Sequence, residues 1–175
     1  MLLDLNPWFV VTNIGDPRLW LGLCVIFFFL RVYYKKKIAP YNKKFSWVKV
    51  FIVFAGFSMS SALGITEIFK LHFQIPRLCS PVTNIYCLDS FSFPSGHTTV
   101  AFAVFTGIYI ILNKRKHLWV FALPVLVGVS RLALGVHTIN DVIGGAAIGA
   151  LVPLIYYLAI TRIKTLEKFV YGKKT

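Results

Sequence analysis

The stretch SRLALGVHTIND, residues 130–141, places arginine, histidine and aspartate at the junction of two long apolar segments of this chain. A second run, FPSGH at residues 93–97, brings another histidine to the start of a further apolar segment. Ionisable groups near a bilayer are energetically expensive, so a membrane protein seldom keeps them there without a use. The two runs therefore predict both a membrane fold and the location of its polar site.

The composition supports a membrane fold. The chain has 175 residues, of which 57% are hydrophobic and 14% charged, and this apolar excess is too large for an ordinary soluble domain. A transmembrane helix takes roughly 20 mostly apolar residues. Segments that approach or exceed this length run over residues 19–34, 45–69, 97–112, 118–134 and 142–163.

We therefore expect an all-α, polytopic transmembrane helix bundle of about five spanning helices, with residues 1–175 forming a single domain. Gly144, Gly145 and Gly149, at the start of the last segment, would let helices approach closely. Residues 1–16 are too short to span. We interpret them as an N-terminal interfacial segment anchored by Trp8, or as a frayed terminus.

Basic residues are distributed unevenly over the predicted loops. The chain has 19 Lys and Arg and a formal net charge of +13, and five spans would put fifteen of the 19 on one side. Only Arg18, Lys70, Arg77 and Arg131 would lie on the other side. Because cytoplasmic loops are enriched in Lys and Arg, we expect a cytoplasmic C-terminus and an external N-terminus. The charge is thus interpreted as an orientation signal, and no nucleic acid is expected as a partner.

Ser95, Gly96 and His97 stand at the predicted start of the third span. Serine can cap a helix, glycine lets the backbone approach a ligand closely, and the N–H groups of a helix N-terminus bind anions. His97 would face such an anion and could donate a proton to a leaving oxygen. The alternative is a plain helix cap beside an interfacial histidine.

Arg131, His137 and Asp141 carry the strongest chemical signal. Arg131 lies near the end of the fourth span, where an unpaired charge is costly, and His137 and Asp141 are close enough to pair. A carboxylate on one ring nitrogen leaves the other as a nucleophile. Lys70 and Arg77, predicted on the same side, suit phosphate oxygens. The alternatives are a satisfied loop histidine and ordinary headgroup anchoring.

In these residues the chain resembles the type 2 phosphatidic acid phosphatase family. The family has three motifs, Lys-x6-Arg-Pro, Pro-Ser-Gly-His and Ser-Arg-x5-His-x3-Asp. The corresponding stretches here are KLHFQIPR at 70–77, PSGH at 94–97 and residues 130–141. The second and third motifs match fully, whereas Leu78 replaces the proline of the first. The apolar segments favour the membrane lipid phosphatases over the soluble acid phosphatases and vanadium haloperoxidases with similar motifs.

The resemblance implies a two-step hydrolysis at the outer face. His137 would attack phosphorus to form a phosphohistidine, Asp141 would orient His137, and His97 would protonate the leaving oxygen. Water would then release phosphate. The residues implied to hold the phosphoryl oxygens are Lys70, Arg77, Ser95, Gly96 and Arg131.

The substrate implied is a phosphomonoester or pyrophosphate of a membrane lipid. Members of the family act on lipid A 1-phosphate, phosphatidylglycerol phosphate, undecaprenyl pyrophosphate and phosphatidic acid, and the sequence does not select among them. Two alternatives stay open: a lipid phosphotransferase, and a non-catalytic phospholipid-binding or transport protein that uses the same basic pocket. The expected location is a bacterial or archaeal inner (plasma) membrane, with the site facing the outside or the periplasm.

Acidic residues and cysteines complete the predictions. The chain has only six Asp and Glu, and a two-metal phosphatase needs several convergent carboxylates, so neither a metal nor another cofactor is expected. Glu67, one helical turn before Lys70, is expected to pair with it. Cys79 and Cys87 lie in the predicted outer loop, where an oxidising exterior would permit a disulfide. The sequence predicts no oligomeric state.

Overall fold

The structure is a computed structural model, and it describes residues 7–37, 56–77, 90–112 and 115–162. Within these ranges every regular element is helical, in agreement with the all-α expectation. In chain order the elements are α1 (Pro7–Asn13), α2 (Pro17–Lys37), α3 (Ser58–Phe73), α4 (Gly96–Leu112), a 3-10 helix (Arg115–Phe121), α5 (Ala122–Ala133) and α6 (Ile139–Arg162).

Each predicted apolar segment overlaps a helix of the structure. Most of these helices are shorter than a bilayer-spanning helix needs to be. Among the described residues, α6 is the helix that is long and apolar enough to cross a membrane. A second span arises if α1 and residues Pro17–Leu30, which are bent by 46°, count as one. Gly96–Leu112 and His117–Ala133 are apolar but shorter. The number of about five spanning helices therefore stays a prediction.

Local sequence explains where the helices begin. Pro17 starts α2, since proline is favoured at the first helical position. Asp16 caps this helix: its Oδ1 accepts a hydrogen bond from the Arg18 backbone N–H at 2.8 Å. The predicted fourth span is divided into a 3-10 helix and α5, and Pro124 lies in the first turn of α5, where a missing N–H is tolerated.

The end of α3 differs from the sequence expectation. The predicted second span ends at residue 69, whereas α3 continues to Phe73 and holds Lys70 in its last turn. Gln74 ends the helix in a left-handed conformation, with φ 48°, and its N–H donates to the Lys70 carbonyl at 2.9 Å. The stop fits the restriction that Pro76 places on the residue before it.

Helix α4 lies at the centre of the bundle and packs most extensively against α6, with further contacts to α3 and α5. The small residues of α6 allow this approach, as predicted. A Cβ atom on Gly145 would lie 2.6 Å from the Ser95 carbonyl oxygen, and one on Gly149 would collide with the Thr99 carbonyl oxygen. This packing holds the N-terminal ends of α4 and α6 side by side, so the two motif histidines and Asp141 come to one end of the bundle.

Residues 7–16 of the N-terminal segment pack against the bundle. Helix α1 packs on α5, and Thr12 on its last turn is only 5% exposed. The Trp20 indole N–H donates to the Ile14 carbonyl at 2.6 Å and its ring packs edge-on against Phe105 of α4. For residues 7–16 this packing excludes the frayed-terminus alternative.

Candidate active site

His137 and Asp141 form a buried pair at the start of α6. Their side chains are 1% and 2% exposed, and the His137 Nδ1 lies 3.4 Å from the Asp141 Oδ2. The Thr138 backbone N–H donates to the same carboxylate oxygen at 2.7 Å, and the first turn of a helix favours a negative charge. The carboxylate is thus fixed on the Nδ1 side of the ring, an arrangement that leaves the lone pair of neutral imidazole on Nε2.

Ser92 joins this pair and was missed in the sequence analysis. It is 1% exposed, its hydroxyl donates to the Asp141 Oδ2 at 2.6 Å, and the hydroxyl oxygen lies 3.3 Å from the His137 Nδ1. The sequence signal for it is weak, a small hydroxyl residue between Phe91 and Phe93. Its place beside the pair rests on a contact with Asp141, 49 positions further along the chain.

The start of α4 is bonded directly to the start of α6. Ser95 is fully buried, and its backbone N–H donates to the Asp141 carbonyl oxygen at 3.0 Å. The Ser95 carbonyl accepts the Thr99 N–H at 2.9 Å, and its hydroxyl accepts the Thr98 hydroxyl at 3.0 Å. Ser95 therefore stands immediately before the first residue of α4, and its backbone bond to Asp141 links the second motif to the third.

His97 follows within the first turn of α4. Its electrostatic partners include His137 and Arg131, so the two motif histidines and the arginine lie close together. Arg131 is 8% exposed, and its NH1 donates to the Thr12 hydroxyl oxygen at 2.8 Å. Residues of both runs thus lie at the same end of the bundle, and their roles in a site stay a prediction.

The other two basic residues also face this end of the bundle. Lys70 is 8% exposed, and its Nζ pairs with the Glu67 Oε1 at 2.6 Å, as predicted. A Cβ atom added to Gly96 would have the Lys70 Nζ as its neighbour at 3.8 Å, so the ammonium sits beside the N-terminus of α4. The Arg77 Nε donates to the Ser90 carbonyl at 3.0 Å. Positive charge is thus gathered around the start of α4.

Burial and the neighbouring cations control the protonation of His137. Burial lowers the pKa of the His137 imidazole, and the charges of Arg131 and Arg77 lower it further, whereas the hydrogen bond with Asp141 opposes the shift. The net direction is downward, so the ring is neutral at ordinary pH. Burial also lowers the pKa of Arg77, with Asp141 and Glu67 acting in the opposite direction, and a guanidinium stays charged in any case.

The remaining candidates lie elsewhere. His72 is exposed at the end of α3, and His117 lies in the 3-10 helix. Cys79 and Cys87, the predicted disulfide, lie outside the described residues. In the described part of the chain, no three His, Cys, Asp or Glu side chains are grouped so that they could hold a metal ion.

Comparison with known proteins places these motifs in a family context. A family model described as the PAP2 superfamily matches residues 51–164. Phosphatidylglycerophosphatase B of Bacillus subtilis is 42% identical over 36% of this chain and 36% of its own length. Undecaprenyl-diphosphatase of Sulfolobus acidocaldarius is 28% identical over 65% of this chain and 63% of its own. The chain thus spans between about one third and two thirds of the length of these relatives.

One solved structure is similar in fold. It is the crystal structure of a transmembrane PAP2-type phosphatidylglycerolphosphate phosphatase from Bacillus subtilis, with a TM-score of 0.68 and 23% sequence identity. The similarity covers 89% of this chain and 76% of that one. All residues of the site described above except Thr12 lie within residues 51–164.

Proposed function

This chain belongs to the PAP2 superfamily, and on that premise we propose that it is an integral-membrane lipid phosphatase working through a phosphohistidine. One observation carries the proposal. The backbone N–H of Ser95, in the second motif, and the hydroxyl of Ser92, just before that motif, both hydrogen-bond to Asp141 of the third motif. A histidine paired with a buried carboxylate thereby stands at the N-terminus of a helix, where anions bind.

In the first proposed step, His137 attacks the phosphorus atom of the lipid phosphate. The P–N bond forms as the bond from phosphorus to the leaving oxygen breaks. Asp141 stabilises the positive charge that develops on the imidazole. His97 donates a proton to the leaving oxygen, which departs as a lipid alcohol or, from a pyrophosphate, as a lipid monophosphate.

In the second step, water attacks the phosphohistidine. His97, now neutral, accepts a proton from the water as the P–N bond breaks, and inorganic phosphate leaves. This step returns both histidines to their starting states. Transfer to an acceptor other than water would follow the same course, with the acceptor hydroxyl in the place of water.

The phosphoryl oxygens would be held by the positive charge around α4. Arg131 and Arg77 offer planar forks that match phosphate geometry, and Lys70 supplies a point charge beside Gly96. The N–H groups at the start of α4 add fixed dipoles of the same sign. Such preorganised groups stabilise charge that builds up during phosphoryl transfer. No step requires a metal ion, and metal independence is part of the proposal.

The surroundings of the site favour a lipid substrate. Large apolar side chains near it are exposed, with Ile139 and Ile143 each at 61% and Phe73 at 49%. In a bilayer such side chains face acyl chains. The candidates are lipid A 1-phosphate, phosphatidylglycerol phosphate, undecaprenyl pyrophosphate and phosphatidic acid. We also propose that the site faces the outside or periplasm of an inner or plasma membrane, and that the C-terminus is cytoplasmic.

The proposal is tested by phosphate release from these four lipids, using the purified full chain in detergent with and without EDTA. We expect release from at least one lipid, unaffected by EDTA and abolished in His137→Ala. His117→Ala is the matched control, because it removes a histidine outside the site. Water labelled with oxygen-18 should deliver its label to the released phosphate.

Each other outcome contradicts a stated part of the proposal. Inhibition by EDTA that added metal reverses would overturn metal independence. Label-free turnover that passes phosphate to another lipid would indicate a phosphotransferase. Tight lipid binding without any turnover would favour the non-catalytic binding or transport alternative.

A further inference from the structure

The N-terminal helix reaches the active site although it lies outside the matched family region. Residues 51–164 are those that the family model covers, whereas α1 and the turn after it end at Asp16. The Thr12 hydroxyl oxygen accepts a hydrogen bond from the Arg131 NH1 at 2.8 Å, across 119 positions of the chain. Both residues are buried, at 5% and 8% exposure. A hydrogen bond to a charged group in such a place is stronger than an ordinary one.

The turn after α1 is packed tightly against the residues that bear the proposed chemistry. A Cβ atom on Gly15 would lie 2.6 Å from the His97 carbonyl oxygen and 2.8 Å from a Val127 methyl group. This close approach leaves room only for glycine. Asp16, the next residue, is among the electrostatic partners of His97. The turn thus touches the first turn of α4 and the face of α5.

The position of this turn is fixed from both sides. The Trp20 indole N–H holds the Ile14 carbonyl at 2.6 Å. The Arg18 guanidinium binds both carboxylate oxygens of Asp16, with its NH2 at 2.7 Å from the Asp16 Oδ2 and its Nε at 3.1 Å from the Asp16 Oδ1. Because the turn after α1 is fixed in position, the adjoining helix α1 can in turn fix the position of Arg131.

We propose that Thr12 is a positioning residue for Arg131, and that α1 is therefore a functional part of the active site. The inference rests on the proposed function, in which Arg131 binds the phosphoryl group. The bond to Thr12 fixes one end of the planar guanidinium, and Arg131 interacts electrostatically with His97 in the first turn of α4. Without the Thr12 oxygen, the arginine would lose one of the contacts that orient it, while its charge stayed in place.

The proposal is tested with Thr12→Val, which keeps the shape of the side chain but removes the acceptor, and Thr12→Ser, which keeps the acceptor. Thr161→Val is the matched control. Its hydroxyl donates to the Tyr157 and Leu158 carbonyls of its own helix, near the C-terminal end of α6. About 30 Å of helix separates it from Asp141. The measurements are vanadate binding by calorimetry, kcat and KM on a lipid phosphate, and thermal unfolding, all on the full chain.

Vanadate is the probe because it mimics the transferring phosphoryl group and transition-state analogues report such contacts most strongly. We expect Thr12→Val to weaken vanadate binding and lower kcat/KM, each by about tenfold or more. Thr12→Ser should restore both to within about threefold. Thr161→Val should change neither. If Thr12→Val does not fold, Thr12→Ala replaces it, because alanine removes the same oxygen. We expect the same losses in vanadate binding and kcat/KM.

Two results would overturn the inference. If Thr12→Val lowers the unfolding temperature but binds vanadate and turns over lipid like the parent chain, then the contact serves stability alone. If Thr12→Ser loses as much as Thr12→Val, then the acceptor oxygen is not the reason for the loss. A parent chain that neither binds vanadate nor releases phosphate would instead overturn the proposed function, and the inference would fall with it.

Discussion

The hydroxyl of Ser92 donates a 2.6 Å hydrogen bond to the Asp141 Oδ2, and its oxygen lies 3.3 Å from the His137 Nδ1. One small side chain thus touches both members of the buried pair. Ser92 is itself held by its backbone N–H, which donates to the Ile75 carbonyl at 2.7 Å. The segment that leads into Pro94 therefore restrains the carboxylate that orients the proposed nucleophile.

Replacing Ser92 with alanine should impair the chemical step. The Asp141 carboxylate would lose a short hydrogen bond, so its orientation toward His137 would be less well defined. We expect kcat to fall by about tenfold to a hundredfold, with KM little changed because Ser92 is not among the proposed phosphate-binding groups. Steady-state kinetics on a lipid phosphate measure both constants. Ser60→Ala, at an exposed serine of α3, is the control, and an unchanged kcat in Ser92→Ala would count against this role.

The pH profile should reflect the lowered pKa of His137. Burial and the nearby arginines favour the neutral ring, and the neutral ring is the nucleophile. Activity should therefore persist as the pH falls through about 6.5, the ordinary pKa of histidine, and decline only below it. Asp141→Asn removes the negative charge of the carboxylate, which raises the pKa of His137.

The acid limb of that variant should consequently lie at lower pH than in the parent chain, although its maximal rate is lower. The measurement is kcat/KM from pH 4 to 8. Running an aryl phosphate and a lipid phosphate in parallel separates ionisation of the protein, which is common to both, from ionisation of each substrate. An acid limb shifted upward in Asp141→Asn would contradict the assignment.

The two histidines should differ in their sensitivity to the leaving group. His97 is proposed to protonate the departing oxygen, so His97→Ala should lose about a hundredfold to ten-thousandfold with an alkyl lipid phosphate. With p-nitrophenyl phosphate the loss should be much smaller, because the nitrophenolate leaves without a proton. His137→Ala should lose activity with both substrates. Equal losses for His97→Ala on the two substrates would show that it does not act as the acid.

The close packing of α4 and α6 predicts opposite effects for two glycine substitutions. Gly149→Ala would push a Cβ atom into the Thr99 carbonyl oxygen and the Phe102 side chain, and we expect a loss of about 1–3 kcal/mol in unfolding free energy. Gly64→Ala, on the exposed side of α3, meets nothing within 4 Å. It should be neutral or stabilising by up to about 1 kcal/mol.

Thermal unfolding of both variants and of the parent chain in the same detergent measures the two changes in stability. A Gly149→Ala variant as stable as the parent would mean that the two helices can separate at little cost.

Much of the fold was predictable from local patterns, because apolar length and spacing are properties of neighbouring residues. The start of α4 at Gly96 and the close approach allowed by the glycines of α6 could both be predicted in this way. The end of α3 could not, since Lys70 looks like a loop residue after an apolar run. Its inclusion in the helix depends on the Gln74 cap and on a salt bridge that let the ammonium sit beside Gly96.

The proposed catalytic residues were likewise predictable as residue types. His137 and Asp141 are four positions apart, so one turn of chain brings them together, and His97 carries its own motif. By contrast, Ser92 and Thr12 have no local signal, because a serine or threonine near an apolar segment is ordinary. Their contacts bridge 49 and 119 positions, and only the packing of α1, α4, α5 and α6 creates them.

The sequence by itself predicted the helices seen in the described residues, the family and the chemical groups at the proposed site, since hydropathy and motif spacing are encoded locally. The tertiary structure decided that the Ser92 hydroxyl bonds to Asp141 and the Thr12 hydroxyl to Arg131. It also brought α1, which lies outside the family region, into contact with Arg131. The physical reason is that a hydrogen bond is directional over about 3 Å, so its partners are known only when distant helices have packed.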